Sequence, residues 1–262
     1  MNRILTLLLL SALAVPARAA RVVSLLPSYT EIVFELGAGK DLVGVSNFCD
    51  YPPAAAKIEK TGDYLRPNVE KIYSLKPDLV LAGAWAAGST AKQLSSLGVK
   101  VVLVPEERKV EDIYTTIRLI AAALGRKAAG EKLVKRLSAR LGPPVGAPVA
   151  VYLEADAGGW SPGGESFLSD AVARAGGRNI FASEKKTYFQ ASWEEVLLRK
   201  PEAVILLSGG AKEFLSRPMA AALPAVKDGL VITSLDRDAF SRPGPRLFGE
   251  IARLRELLHA RK

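Results

Sequence analysis

The feature that most constrains this 262-residue chain is a repeat within it. Glu70-Lys-Ile-Tyr-Ser-Leu-Lys-Pro77-Asp78-Leu-Val-Leu is matched, position for position in character, by Glu194-Glu-Val-Leu-Leu-Arg-Lys-Pro201-Glu202-Ala-Val-Ile. Each copy reads as an acid at a helix start, a short apolar helix, a Lys-Pro-acid turn and a buried strand. The proline stops the helix because it has no amide hydrogen and bars the residue before it from the helical region. Earlier in each half, Leu36-Gly-Ala-Gly39 and Ala175-Gly-Gly-Arg178 end a helix in glycine ahead of a further apolar segment. A chain built this way folds into two similar lobes, and its length suits two units of ordinary domain size.

Strands and helices alternate on both sides of the middle. Residues 21–27, 42–45, 79–82, 101–104, 149–153, 203–207 and 230–233 have the apolar run of a buried strand, and helical segments separate them. Such alternation predicts an α/β fold with mostly parallel sheets and flanking helices. Between the halves, Val110, Ile113, Ile117, Ile120 and Leu124 form a helical stripe that Leu133, Leu137 and Leu141 continue. Unbroken, this helix would be about 48 Å long. Gly125 and Gly130 are the places where it can kink or divide, and Gly142-Pro143-Pro144 stops it. The expected organisation is an N-terminal lobe over 20–107, a bridging helix over 108–142 and a C-terminal lobe over 143–262.

Residues 1–19 read as a signal peptide. Met1-Asn2-Arg3 is a short positive start, Ile4 to Val15 is an apolar run too short to span a bilayer, and Ala17-Arg18-Ala19 is a small-x-small cleavage site. Cleavage removes Arg3 and Arg18 and no acids, lowering the formal charge of +9 by two, to about +7. No cysteine lies at the cleavage point to carry a lipid, so a soluble periplasmic protein is expected. The basic residues are scattered among acids rather than gathered as a nucleic-acid footprint. Cys49 is the only cysteine, which excludes an internal disulfide.

Catalytic constellations are sparse. His259, near the C-terminus, is the single histidine, so neither a Ser-His-Asp arrangement nor a histidine metal cluster is expected, and there is no Walker A or Gly-x-Gly-x-x-Gly loop. Loop aromatics stand out instead: Tyr51, Tyr64, Trp85, Trp160 and Tyr188 all fall at or after turns, outside the helical stripes. Rigid aromatics near strand ends suit a ligand cleft, while packing between lobes is the alternative use. Glu70 and Glu194 follow the helix caps Asn68 and Ser192, where an acid favours the helix dipole. Capping accounts for an acid but not for the same offset in both halves, so docking on a partner stands beside it. An enzyme, or a scaffold without ligand, are the readings from other classes.

Ser24-Leu-Leu-Pro-Ser-Tyr-Thr-Glu31, Val43-Gly-Val-Ser46, Asp50-Tyr-Pro-Pro53, Asn68-Val-Glu70 through Asp78, and Arg242-Pro-Gly-Pro-Arg246 together resemble the periplasmic cobalamin-binding proteins of ABC importers. These belong to the helical-backbone binding proteins, which also serve haem, siderophores and some metals. The resemblance implies two α/β lobes bridged by one long helix with little hinge motion, and no enzyme activity. It implies that Glu70 and Glu194 dock on a membrane permease, and that Tyr51, Tyr64, Trp85, Trp160, Tyr188, Asp236 and Arg242 contact the ligand. Tyr64 and Tyr188 stand where the family pattern has tryptophan, Trp160 where phenylalanine is usual, and the Asp236–Arg242 loop departs from it. Haem-type members carry their tyrosine where this chain has Asp63. The expected ligand is therefore cobalamin or a related corrinoid, with haem or a siderophore next. It is cargo rather than cofactor, carried by a monomer that binds no nucleic acid.

Overall fold

The computed structural model describes residues 20–84, 88–142 and 147–260. The first half runs β1 (Val22–Ser24), α1 (Pro27–Glu35), β2 (Leu42–Val45), α2 (Val69–Ser74), β3 (Leu79–Gly83), α3 (Gly88–Ser96) and β4 (Val101–Val104). Two helices follow, α4 (Val110–Ala123) and α5 (Lys127–Leu141). The second half runs β5 (Val149–Glu154), β6 (Trp160–Pro162), α6 (Phe167–Arg174), β7 (Gly177–Asn179), β8 (Tyr188–Gln190), α7 (Trp193–Arg199) and β9 (Ala203–Leu206). It ends with α8 (Ala211–Leu215), α9 (Pro224–Lys227), β10 (Val231–Ile232), α10 (Arg237–Ser241) and α11 (Leu247–His259).

Each half forms a four-stranded sheet in which every neighbouring pair is parallel. The orders are β2-β1-β3-β4 and β7-β5-β9-β10. Numbered from its own first strand, each sheet reads second, first, third, fourth, so the repeat in sequence is a repeat in topology. β3 and β9 sit inside their sheets and are buried along their whole length, as their unbroken apolar runs require. The second half adds a two-stranded antiparallel sheet, β6 with β8.

The Lys-Pro-acid turn does the same work in both lobes. The following proline disfavours the right-handed helical conformation at Lys76 and Lys200, and both take a left-handed turn with φ of 48°. The acid then ties together the starts of the two central strands of the sheet. The Arg21 amide donates to Asp78 Oδ2 and the Ala150 amide to Glu202 Oε2, each over 2.8 Å. In return the amides of Asp78 and Glu202 donate to the carbonyls of Arg21 and Ala150.

The middle stripe divides where the sequence allows it to, at Gly125, whose φ is +69°. α4 and α5 therefore pack against each other as a hairpin instead of running on as one rod. An Arg118–Glu131 ion pair joins them across the turn. α4 is the bridging element: it packs on α1 and β4 of the first lobe and on α6 of the second, while α5 packs on α11. One buried apolar cluster runs without interruption from Val22, Tyr29 and Leu81 through Ile113, Ile117 and Leu137 to Val151, Leu168 and Ile251. Separate smaller clusters fill the outer faces of the two sheets.

Candidate functional site

The lobes meet at a charged seam. Glu31 projects from α1 and is almost fully buried, at 2% exposure. Arg246 grips it with two hydrogen bonds, from Nη2 to Oε1 at 2.9 Å and from Nε to Oε2 at 3.1 Å. Arg242 adds a longer contact to Oε1 at 3.6 Å. Burial pushes the Glu31 carboxyl above its ordinary range, against the pull of the two arginines. Arg242 also donates to Asp50 across the seam at 2.7 Å and approaches Asp238 of the preceding helix, α10, at 3.3 Å. The Arg242 hydrogen bond holds the Asp50 carboxyl below the usual carboxylate range.

Local sequence positions these arginines. Pro243 and Pro245 separate α10 from α11 and fix the turn between them. Gly244 lets that turn lie on the start of α1, where a Cβ would stand 3.3 Å from that of Ser28.

A cleft of about 400 Å³ opens beside the seam, lined by Ser28, Phe48, Tyr64, Asp238, Ser241 and Arg242 among others. Phe48 and Tyr64 pack edge to face with centroids 5.6 Å apart. A neighbouring depression of about 250 Å³ is lined by Glu31, Phe34, Tyr51, Pro52 and Arg246. The Arg246 guanidinium lies 4.1 Å from the centroid of the Tyr51 ring, a cation–π arrangement. Arg242 thus faces one hollow and Arg246 the other.

The remaining described aromatics of the expected set ride on the β6–β8 strand pair. Trp160 pairs with Gln190 and Pro162 with Tyr188, so Trp160 and Tyr188 share one face. That face is open: Trp160 is 46% exposed and Tyr188 40%. The alternate residues Ser161 and Phe189 turn inward, Phe189 onto Phe181. The Tyr188 hydroxyl end is tucked beside Ser166, and desolvation raises its pKa, with Glu106 of the first lobe adding to the effect.

The structure thus brings Tyr64 and Arg242 to one cleft, sets Tyr51 in the adjoining hollow, and places Trp160 and Tyr188 on one face of the β6–β8 pair. Trp85 lies outside the described residues. Asp236, expected at the ligand, is occupied elsewhere: it accepts from the Ala239 amide as the cap of α10 and pairs with Arg246 at 3.3 Å. Asp238, two residues on, lines the cleft instead. Phe48 was not among the expected contacts, although it is half exposed beside Tyr64.

Glu70 and Glu194 both lie exposed at the second residue of a helix, α2 and α7. The caps are other residues. Asn68 accepts from the Lys71 amide and Ser192 from the Glu195 amide. Glu194 accepts the Ser192 hydroxyl proton over 2.7 Å, which with its backbone contact keeps its carboxyl below the ordinary range. Among the described residues no group of three or more His, Cys, Asp or Glu is placed to hold a metal ion, and no helix is long and apolar enough to cross a membrane.

Comparison with known proteins places this geometry. A family model described as periplasmic binding protein matches residues 22–237. The vitamin B12-binding protein of Pectobacterium atrosepticum is 30% identical over 255 residues, which is 92% of this chain and 88% of that protein. Among solved structures, the periplasmic haem-binding protein RhuT of Roseiflexus sp. RS-1 superposes with a TM-score of 0.82 at 26% identity, covering 92% of this chain and 98% of the other. The vitamin B12-binding protein BtuF of Vibrio cholerae gives a TM-score of 0.76 at 26% identity with the same coverage.

Proposed function

The chain belongs to the periplasmic binding protein family, the substrate-binding components of ABC importers and not enzymes, and from that premise we propose that it carries cobalamin or a related corrinoid to a membrane permease. The observation that carries the reading is the cleft at the seam, where Tyr64, Phe48 and Arg242 converge, with the Trp160–Tyr188 face on the β6–β8 strand pair of the second lobe. A corrinoid is broad and largely flat, with amides on its rim and a phosphate in its tail. Aromatic faces cover the flat part and polar loop groups orient the rim. Tyr51 and Trp85 complete the contact set in this reading, with Arg242 and Asp238 at the rim. Relatives named for vitamin B12 at 30% identity support it. In the same proposal residues 1–19 are removed on export, the protein acts as a monomer, and Glu70 and Glu194 face the permease.

Haem is the second reading. A haem-binding structure superposes as well as the B12-binding one, and Tyr64 offers a phenol at the cleft, a group able to ligate haem iron. Absorption spectra of the purified protein titrated with cyanocobalamin and, separately, with haemin distinguish the two. The expected result is saturable corrinoid binding that Trp160→Ala weakens about 5- to 150-fold. A tyrosinate-type haem spectrum lost in Tyr64→Phe, with no corrinoid binding, would replace the first reading by the second.

A further inference from the structure

The outer face of α5 carries a charge pattern that the cleft does not use. Val134, Leu137 and Leu141 bury one side of the helix, with Gly130 and Leu133 beside them. The other side is exposed and presents Lys127, Lys132, Lys135, Arg136 and Arg140. Arg136 is neutralised by Glu35, and the one acid of the helix, Glu131, by Arg118. Lys127, Lys132, Lys135 and Arg140 have no ion-pair partner among the described residues. This contrasts with Arg126, Arg174, Arg199, Arg217, Arg242 and Arg246, each of which meets a carboxylate.

We propose that this face of α5 is a docking surface for anionic lipid. Lys127 to Arg140 spans about 20 Å of straight helix, long enough to lie flat on a bilayer. Apart from Glu131, which Arg118 neutralises, the exposed residues between the cations are small, Ala128, Ser138 and Ala139, so the helix can approach headgroups closely. The face has no aromatic side chain to stack on bases, so a membrane fits it better than nucleic acid. A family that works beside a membrane gives such a surface a use: it concentrates the carrier where importers are. The inference is independent of which ligand fills the cleft.

The test is co-sedimentation of the full-length mature protein with vesicles of phosphatidylcholine alone and of phosphatidylcholine mixed with phosphatidylglycerol, at low ionic strength. Binding is expected only to the mixed vesicles, and added salt should abolish it as the screening length shrinks. K132Q/K135Q/R140Q should bind on the order of 100-fold more weakly, about 5-fold for each cation removed. All three side chains are exposed, so its melting temperature should match the parent. K57Q/K92Q/K227Q removes the same charge from exposed positions on other elements and should keep vesicle binding. No binding to the mixed vesicles, or equal loss in both triple variants, overturns the proposal. Tighter binding to duplex DNA than to the vesicles, lost with the α5 cations, assigns the face to nucleic acid instead.

Discussion

Glu107, just ahead of α4, keeps its carboxyl buried where the Thr116 hydroxyl donates to Oε1 over 2.6 Å. Burial outweighs that hydrogen bond and pushes its pKa up from 4.5 to about 7. The folded protein thus holds this proton more tightly than the unfolded chain. Glu107 costs nothing below about pH 4.5 and destabilises progressively as pH rises towards 7, by on the order of 3 kcal/mol in full. Glu107→Gln keeps an acceptor for Thr116 without the charge, so denaturant unfolding should find it more stable than the parent at pH 8 and indistinguishable at pH 4. Equal stability at both values would mean the carboxylate is better solvated than its burial indicates. At this scale the sequence was only partly legible. Tyr64, Trp160 and Tyr188 could be singled out because an aromatic beside a turn breaks the helical pattern. Asp236 and Asp238 could not be separated, since two acids two residues apart differ only in which one meets the free amides of α10. Phe48 was missed because one phenylalanine near a strand end matches ordinary core.

Among the elements, the α4–α5 hairpin shows where a periodic pattern stops being informative. The apolar stripe is correct on both sides of Gly125, and a glycine within such a stripe is compatible with a straight helix, a kink or a reversal. Only the left-handed φ of Gly125 chooses the reversal, and no side chain encodes it. Gly130, the other glycine of the stripe, has a different task. A Cβ there would lie 2.6 Å from the Cβ of Ala121, so the close approach of α4 and α5 depends on its absence. Gly130→Ala is expected to destabilise by roughly 1–3 kcal/mol despite the helix propensity it adds. Gly249 in α11 has open space at the same test, and Gly249→Ala should stabilise by roughly 0.5–1 kcal/mol. Thermal melts of the two variants should therefore shift in opposite directions. The β6–β8 strand pair was illegible for another reason. Its strands are three residues long and 25 residues apart, so no local turn marks the pairing. The Lys-Pro-acid turns were read correctly as turns. The second half of their role, returning a carboxylate to the first strand of the sheet, needs the tertiary neighbour to be seen.

At the scale of the molecule, the identical strand order of the two sheets sets Glu70 and Glu194 at equivalent places on equivalent helices. On the proposed function, Glu70→Ala and Glu194→Ala should leave corrinoid affinity nearly unchanged while each weakens association with the permease. The loss should be larger at low salt, because exposed charge pairs are screened as salt rises. Calorimetry against cyanocobalamin and surface binding to the reconstituted permease measure the two effects separately, and loss of ligand binding alone would move these glutamates to the cleft. The general plan of two α/β lobes was readable because duplication repeats the same physical constraints twice. Their mutual placement was not, since it depends on contacts between chain ends. Glu31 and Arg246 lie 215 positions apart, and Asp50 and Arg242 lie 192 apart. Loop closure over such distances is achieved only when nearly the whole polypeptide is present. As the chain is synthesised, its first lobe therefore holds a carboxylate with no countercharge until the turn just ahead of the last helix has emerged. On the proposed export of this chain, such a delay is an advantage during passage through a membrane, because its earliest residues lack the partners that would trap them in a compact form too soon.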